Sequence, residues 1–570
     1  MIVAGALALT VAACSSSGTP PPPAATAHHR PAVTATSGTA RALGSFLAAN
    51  VAEDSGDSGT AASYYARALA ADPDNPQLLS HAFTTALLVG KVDQSLPMAR
   101  RLLTEDPHAP LPALTLAIVA AHDGRFTETR SYLAAIPVEG ANGFLEPLLN
   151  AWALAGLHRP AKALAALKPL SANRILRPLG IYHAALIDDL MGRRAAAERG
   201  YKRTLSAMFN VRSVEALGSF YQRTGQLDRA RALYRRYALL HPDGMAFDSK
   251  PLLLAGGAVP PVAANATDGM AESLFDMAQV VRDSGNGDVA MVFLRLALYL
   301  RPQFPLAQMM AANILETQGH TDQALAFYRD IPATSPLHAF AQVRVAIGLD
   351  ETGESKAALA LLDRLAKTHG NSVDLFVARG DILRRLKRYD AAREAYTEAI
   401  KVAPPDLAQL WALYFSRGVC FERTGPWSKA EADLLHALKL QPDQPAVLNY
   451  LGYSWVVRNI HLHRAEALIE RAERLSPQDG AILDSLGWAQ YHLGQYEKAV
   501  TTLERAVEFK PEDPTINEHL GDAYWRVGWQ VEARRQWTRA LKDGPAPEQI
   551  EGLKTRLKTG APPADAHGQY

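Results

Sequence analysis

The residues able to do chemistry are few and scattered. Only two cysteines occur, Cys14 and Cys420, which gives neither a disulfide framework nor a cysteine-based zinc site. His461 and His463 stand two residues apart, which on a helix is not one face, and no Cys or carboxylate cluster joins them. The segments Asp283-Ser-Gly-Asn-Gly-Asp288 and Glu53-Asp-Ser-Gly-Asp57 look a little like calcium loops, but neither ends in the bidentate Glu such a loop needs; both read as turns. There is no H-E-x-x-H, no G-x-x-x-x-G-K-[ST] and no G-x-S-x-G. No catalytic residue, metal site or cofactor is therefore expected. An enzymatic alternative, a hydrolase hidden in residues 75–210, has against it an Ala/Leu-rich helical composition with no converging acid, base or nucleophile. What remains is a set of amphipathic rings, among them Tyr453, Trp488, Tyr491 and Trp525, suited to gripping another protein.

The elements that carry these rings repeat. Pro514–Trp537 (PTINEHLGDAYWRVGWQVEARRQW), slid back 34 residues, falls on the segment that starts at Ile482 (ILDSLGWAQYHLGQYEKAV). Gly487 then lies on Gly521, Ala499 on Ala533, Ala506 on Ala540 and Pro511 on Pro545. Small residues at fixed places let two antiparallel helices approach, and a proline stops the second. This pattern resembles the tetratricopeptide repeat (TPR). The resemblance implies an all-α fold, a right-handed α-solenoid of stacked helix pairs, because one pair cannot bury its apolar face alone.

The small residue at the eighth position of the first helix can be followed along the chain. It falls at Ala49, less cleanly at Phe83, Ala117 and Ala151, then at Ala184 and Gly218. It resumes at Ala278, Ala312, Ala346, Gly380, Gly418, Gly452, Gly487 and Gly521. A last helix near Pro547–Leu557 would cap the array. Between Gly218 and Ala278 the spacing is broken by HPDGMAFDSKPLLLAGGAVPPVAANATDGM, whose Gly and Pro pairs forbid one continuous helix. This insert reads either as a linker between lobes or as a loop folded onto the groove or docking a partner.

TPR proteins line their groove with positions 2, 5, 9, 12 and 13 of the first helix of each pair. Carried over, the resemblance assigns Phe415, then Asn449 and Tyr453, then Asp484, Trp488 and Tyr491, then Glu518, Asp522, Trp525 and Arg526 to a partner-binding groove. The competing reading makes Trp488 and Trp525 packing between neighbouring helices.

Apolar residues are 48% and charged residues 21% of the 570, with a formal net charge of +1. Charges of both signs are interspersed, which argues against nucleic acid as the partner. No run of apolar residues is long enough to span a membrane. The first 14 residues, MIVAGALALTVAAC, form an apolar segment ending in small residues, and Val11-Ala12-Ala13-Cys14 resembles a bacterial lipobox, which makes Cys14 the lipidation site. Residues 15–39 should be a disordered Pro/Ser/Thr linker. The expected organisation is then an N-terminal TPR-like lobe at 40–243, the insert at 244–270, a C-terminal TPR lobe with its capping helix at 271–558, and a tail at 559–570.

Signal, Cys14, linker and repeats together resemble proteobacterial outer-membrane TPR lipoproteins, through LNYLGYSWV (448–456), ILDSLGWAQYHLGQYEKAV (482–500) and HLGDAYWRVGWQVEAR (519–534). One member of that group binds a periplasmic carboxyl-terminal processing protease and brings it cell-wall hydrolases. The resemblance implies a lipid-anchored adaptor on the periplasmic face of the outer membrane, with envelope proteins as partners. The alternative in the same class is a scaffold for an envelope assembly or polymer-export machine.

Overall fold

A computed structural model describes residues 37–137, 142–240, 249–369 and 372–560. Cys14 lies outside them. So does most of the expected linker, but not its end: the first helix, Ser37–Asp54, already includes residues 37–39. The tail beyond 560 also lies outside.

The described residues are antiparallel helix pairs in series, and no strand occurs among them. Each pair closes where the sequence is small. A Cβ on Gly521 would lie 2.5 Å from the Trp537 ring, one on Gly487 2.5 Å from Leu503, and one on Gly380 2.7 Å from Tyr396. The facing alanines Ala499, Ala506, Ala533 and Ala540 are fully buried. Seven residues after the eighth position the chain turns with positive φ, as at Gly494 (75°) and Gly528 (86°). His158, Lys387 and Asn459 hold the same conformation at this place in their repeats, with φ of 53–57°. Glycine adopts it at no steric cost, and Asn more easily than most residues.

This turn also corrects one register. Gly192 has a φ of 72°, which puts the eighth position at Ala185 rather than Ala184. Ala185 is buried and sits against Gly200 of the next helix, whereas Ala184 is only partly buried. The period there is an unbroken 34 from Ala151.

The expected division into lobes at 40–243 and 271–558 does not hold. The chain divides into two compact units between Glu354 and Ser355. The reason is that the helices after the insert, Ala266–Asp283 and Gly287–Leu300, pack back on the helices before it. Gly269 lies against the Trp152 ring, and Tyr299 donates to Asp93 at 2.9 Å. Arg295 donates to the Leu88 carbonyl at 3.2 Å.

A buried charge cluster fastens this fold-back. Glu272 is fully buried and accepts from Arg212 Nε at 2.8 Å and from Arg301 Nη1 at 3.0 Å. Beside it, Trp152 Nε1 donates to His183 Nδ1 at 2.8 Å, and His183 Nε2 meets Asp276 at 2.9 Å. Burying such groups is tolerable only because each finds its partner.

Candidate functional site

In a helix-pair array the surface left for a ligand is the one lined by the first helices. In the first unit this surface is largely taken up by the chain itself. On the helix Val211–Arg223 all four of positions 2, 5, 9 and 12 are engaged. Arg212 pairs with Glu272 and with Glu215. Ser219 donates to the Pro260 carbonyl at 2.8 Å. Gln222 donates to the carbonyls of Leu252 (2.7 Å) and Gly256 (2.9 Å), and accepts from Tyr234 at 2.8 Å. The insert, with its short helix Lys250–Ala255 and buried Val259, Val262 and Ala263, therefore lies on the groove of this repeat. Of the two readings of the insert, the folded loop is the one seen over residues 249–264.

The second unit keeps its groove. Its first helices are Val373–Arg385, Leu410–Thr424, Pro445–Val457, Gly480–His492 and Pro514–Arg526, followed by the capping helix Pro547–Thr559. Three of the expected groove residues are buried carboxylates already spoken for. Asp484 meets His519 Nδ1 at 2.9 Å. Asp522 takes two bonds from Arg556 (2.9 and 3.1 Å) and one from Trp537 Nε1 at 2.9 Å. Glu518 pairs with Arg556 at 2.9 Å and accepts from Gln549 at 3.1 Å. Arg556 and Gln549 come from the capping helix, so this helix closes the array by ion pairing as well as by packing. Burial pushes the Glu518 carboxyl above the usual range, with Arg556 pulling against it. Burial works against the His519 imidazolium too, but the carboxylates around it, Asp484 foremost with Glu518 and Asp522, together hold that pKa above the ordinary value.

Trp488 is the centre of an aromatic platform. Trp488 stacks on Tyr491 (centroids 4.7 Å, planes 10°) and on His519 (3.9 Å, 11°), and His492 meets it edge-on at 4.9 Å. Phe415 packs edge-on against Tyr450 at 5.6 Å. Trp488, Tyr491, Phe415 and Tyr453 are all partly buried, unlike Trp455 and Tyr524, which fill the core. Asn449 is partly buried, and its Oδ1 meets no donor among the described residues. Trp525 is separate from the platform: it lies 5.7 Å from Trp537 and against Gly560 at the end of the capping helix. Arg526 is exposed; its Nε donates to the Tyr491 hydroxyl at 3.0 Å, and its guanidinium sits 5.7 Å from the rings of Tyr491 and Tyr496.

The sequence reading missed a residue that props the groove from beneath in six of the repeats. Sixteen residues after the eighth position stand Tyr65, Tyr201, Tyr234, Tyr328, Tyr396 and Trp537, all buried. Each reaches through its own pair to a polar groove residue, as Tyr201 does to Asp189 (2.8 Å) and Tyr396 to Asp381 (2.6 Å). A recurring Tyr at that spacing was the available signal.

Among the described residues no His, Cys, Asp or Glu cluster could hold a metal ion, and no helix is long and apolar enough to cross a membrane. Cys420 is buried, which pushes its thiol up to about 11.

Two family models match the chain, a TPR repeat over residues 487–528 and a tetratricopeptide repeat over residues 346–408. A TPR repeat-containing protein of Pseudomonas aeruginosa is 31% identical over 128 residues, which is 22% of this chain and 21% of that relative. Among solved structures, yeast Tom70 aligns over 91% of this chain and 95% of its own at 15% identity and a TM-score of 0.32. The Cut9 complex with Hcn1 aligns over 85% and 96% at 16% identity and a TM-score of 0.39. Its serial helix pairs, small close-packing residues and repeat matches make the chain an α-solenoid that carries tetratricopeptide repeats, a fold that implies a protein-interaction scaffold.

Proposed function

We propose that this protein is a non-catalytic adaptor that holds an extended segment of a partner protein in the groove of its second unit. The observation that carries this reading is the contrast between the two grooves. The groove of the first unit is filled by its own insert and fold-back, whereas the Trp488–Tyr491 platform of the second keeps ring surface in solvent. Rings of this kind supply large contact area at low entropic cost and are enriched among binding hot spots.

The partners fitting the lipoprotein resemblance are envelope proteins, with a carboxyl-terminal processing protease and cell-wall hydrolases first among them. Anchoring would run through a lipid on Cys14, on the periplasmic face of the outer membrane. Metabolic labelling with a fatty acid tests this: label is expected on the native chain and absent from Cys14→Ala, and label that persists on the variant would sink the anchor.

The groove is tested with Trp488→Ala and Trp525→Ala, each measured by melting temperature and by recovery of envelope partners. A central hot-spot ring costs about 2 kcal/mol or more on truncation, about thirtyfold in affinity. Weaker recovery at a nearly unchanged melt is expected for Trp488. Retained recovery with a large fall in melting temperature would make the rings packing and overturn the groove.

A further inference from the structure

The charges of the second unit's groove divide by position, with the exposed Asp374, at position 2 of the first repeat, as the one carboxylate outside positions 5, 9 and 12. Every carboxylate at positions 5, 9 and 12 is already engaged inside the unit. Asp381 accepts from Tyr396, Glu422 pairs with Arg458 at 2.7 Å, and Asp484, Glu518 and Asp522 hold His519 and Arg556. Position 13, at the lip, holds no carboxylate: it reads Arg385, Arg423, Val457, His492 and Arg526 over five consecutive repeats. Arg423 is exposed, and its contact with Glu422 at 3.5 Å is to a carboxylate that Arg458 already neutralises.

Arg526 is the most developed of these. Its guanidinium is oriented by the Tyr491 hydroxyl and rests over two tyrosine rings, yet it is exposed and makes no ion pair among the described residues. Stacking on rings leaves the edge N–H groups of a guanidinium free to point outward, and these match a carboxylate bidentately. The platform of Trp488 lies directly beside it.

We infer that the groove of the second unit selects acidic segments: an extended stretch of a partner protein that sets a carboxylate on Arg526, with an aromatic or apolar side chain on the Trp488–Tyr491 platform. The same chemistry repeats at the lip at Arg423, so a longer segment would present a second carboxylate there. Helices pack about 8–10 Å apart and an extended chain advances about 3.3 Å per residue, so successive repeats read about every third residue. This inference rests on the groove reading above.

The test is selection of a displayed random-peptide library on the full-length protein, followed by binding of the selected peptides to Arg526→Gln, Arg526→Lys and Trp488→Ala. Selected peptides are expected to be enriched in Asp and Glu. Their binding should fall about tenfold or more in Arg526→Gln, the loss of one charge-assisted contact. Arg526→Lys should recover part of it, and binding should weaken with salt. Peptides that need Trp488 but carry no acidic enrichment, or that ignore Arg526→Gln, would overturn this inference and leave the groove standing. Peptides indifferent to both positions, or no selectable peptide, would overturn the groove reading and this one with it.

Discussion

Replacing Glu272 with alanine is expected to destabilise the first unit by about 3–5 kcal/mol, the cost of removing one member of a buried ion cluster. Glu272 is fully buried, and Arg212, nearly so, and Arg301 converge on it. Truncation would leave two cations in a poorly solvated site, with Glu215 still paired to Arg212 and Asp268 and Asp276 acting on them only from further off. Arg212 and Glu272 are 60 residues apart, so the pair joins the repeats before the insert to the helices after it. The loss should therefore appear as opening of the fold-back rather than fraying of one helix pair. Hydrogen exchange is the suitable measurement, because repeat arrays need not unfold in one step. Protection should fall in peptides covering 142–156, 211–223 and 266–283, while 480–560 stays as it was. Glu272→Gln keeps acceptors without charge and should fall between. Unchanged protection in Glu272→Ala would mean that apolar packing alone, such as Gly269 on Trp152, holds the two segments together.

This fold-back is the part of the architecture that the sequence did not disclose, and the reason is physical. The pair contacts are local: Gly521 meets Trp537 and Gly487 meets Leu503 at the same 16-residue offset, so they leave a period in the chain. The contacts of Glu272, His183 and Arg295 are single long-range events with no period. The insert at 244–270 interrupts the repeat and so looked like a domain boundary, yet Gln222 and Ser219 bind its carbonyls and make it part of one unit. Backbone carbonyls accept whatever their side chains are, so such a contact has no sequence signature.

The groove was legible in part for a related reason. Position in the repeat shows which side a residue faces, and Trp488, Tyr491 and Arg526 do meet there. Position alone does not show which charges are already paired. Asp484, Glu518 and Asp522 stand at groove positions, but the first helix of the following pair supplies His519 and the capping helix supplies Arg556 to neutralise them. The one-residue error at Ala184 has a simpler cause: two adjacent alanines cannot be told apart by size, whereas the positive φ at Gly192 distinguishes them.

Trp537→Ala should cost the end of the second unit about 3–5 kcal/mol, the range for truncating a fully buried large ring. The ring is inaccessible to solvent and occupies the space that Gly521 leaves by having no Cβ. Leu503, Leu520, Ala523, Ala540 and Leu553 of the same core cluster are themselves buried, so the hole cannot fill without moving helices. The indole also donates to Asp522, and removing it leaves that buried carboxylate with its hydrogen bonds from Arg556. Trp537→Phe separates the two effects. It keeps most of the packing and loses one donor to a buried carboxylate that Arg556 still holds, so about 1–3 kcal/mol is expected from the lost hydrogen bond. The pair should be measured beside Trp488→Ala, because the two tryptophans are the same residue type in opposite settings. Trp488 is partly exposed and its stacked partners Tyr491 and His519 are each anchored by a second contact, to Arg526 and Asp484. Its truncation should therefore cost far less stability than that of Trp537. Equal losses would mean that Trp488 holds the repeats together as Trp537 does, and the platform would cease to be a candidate for binding.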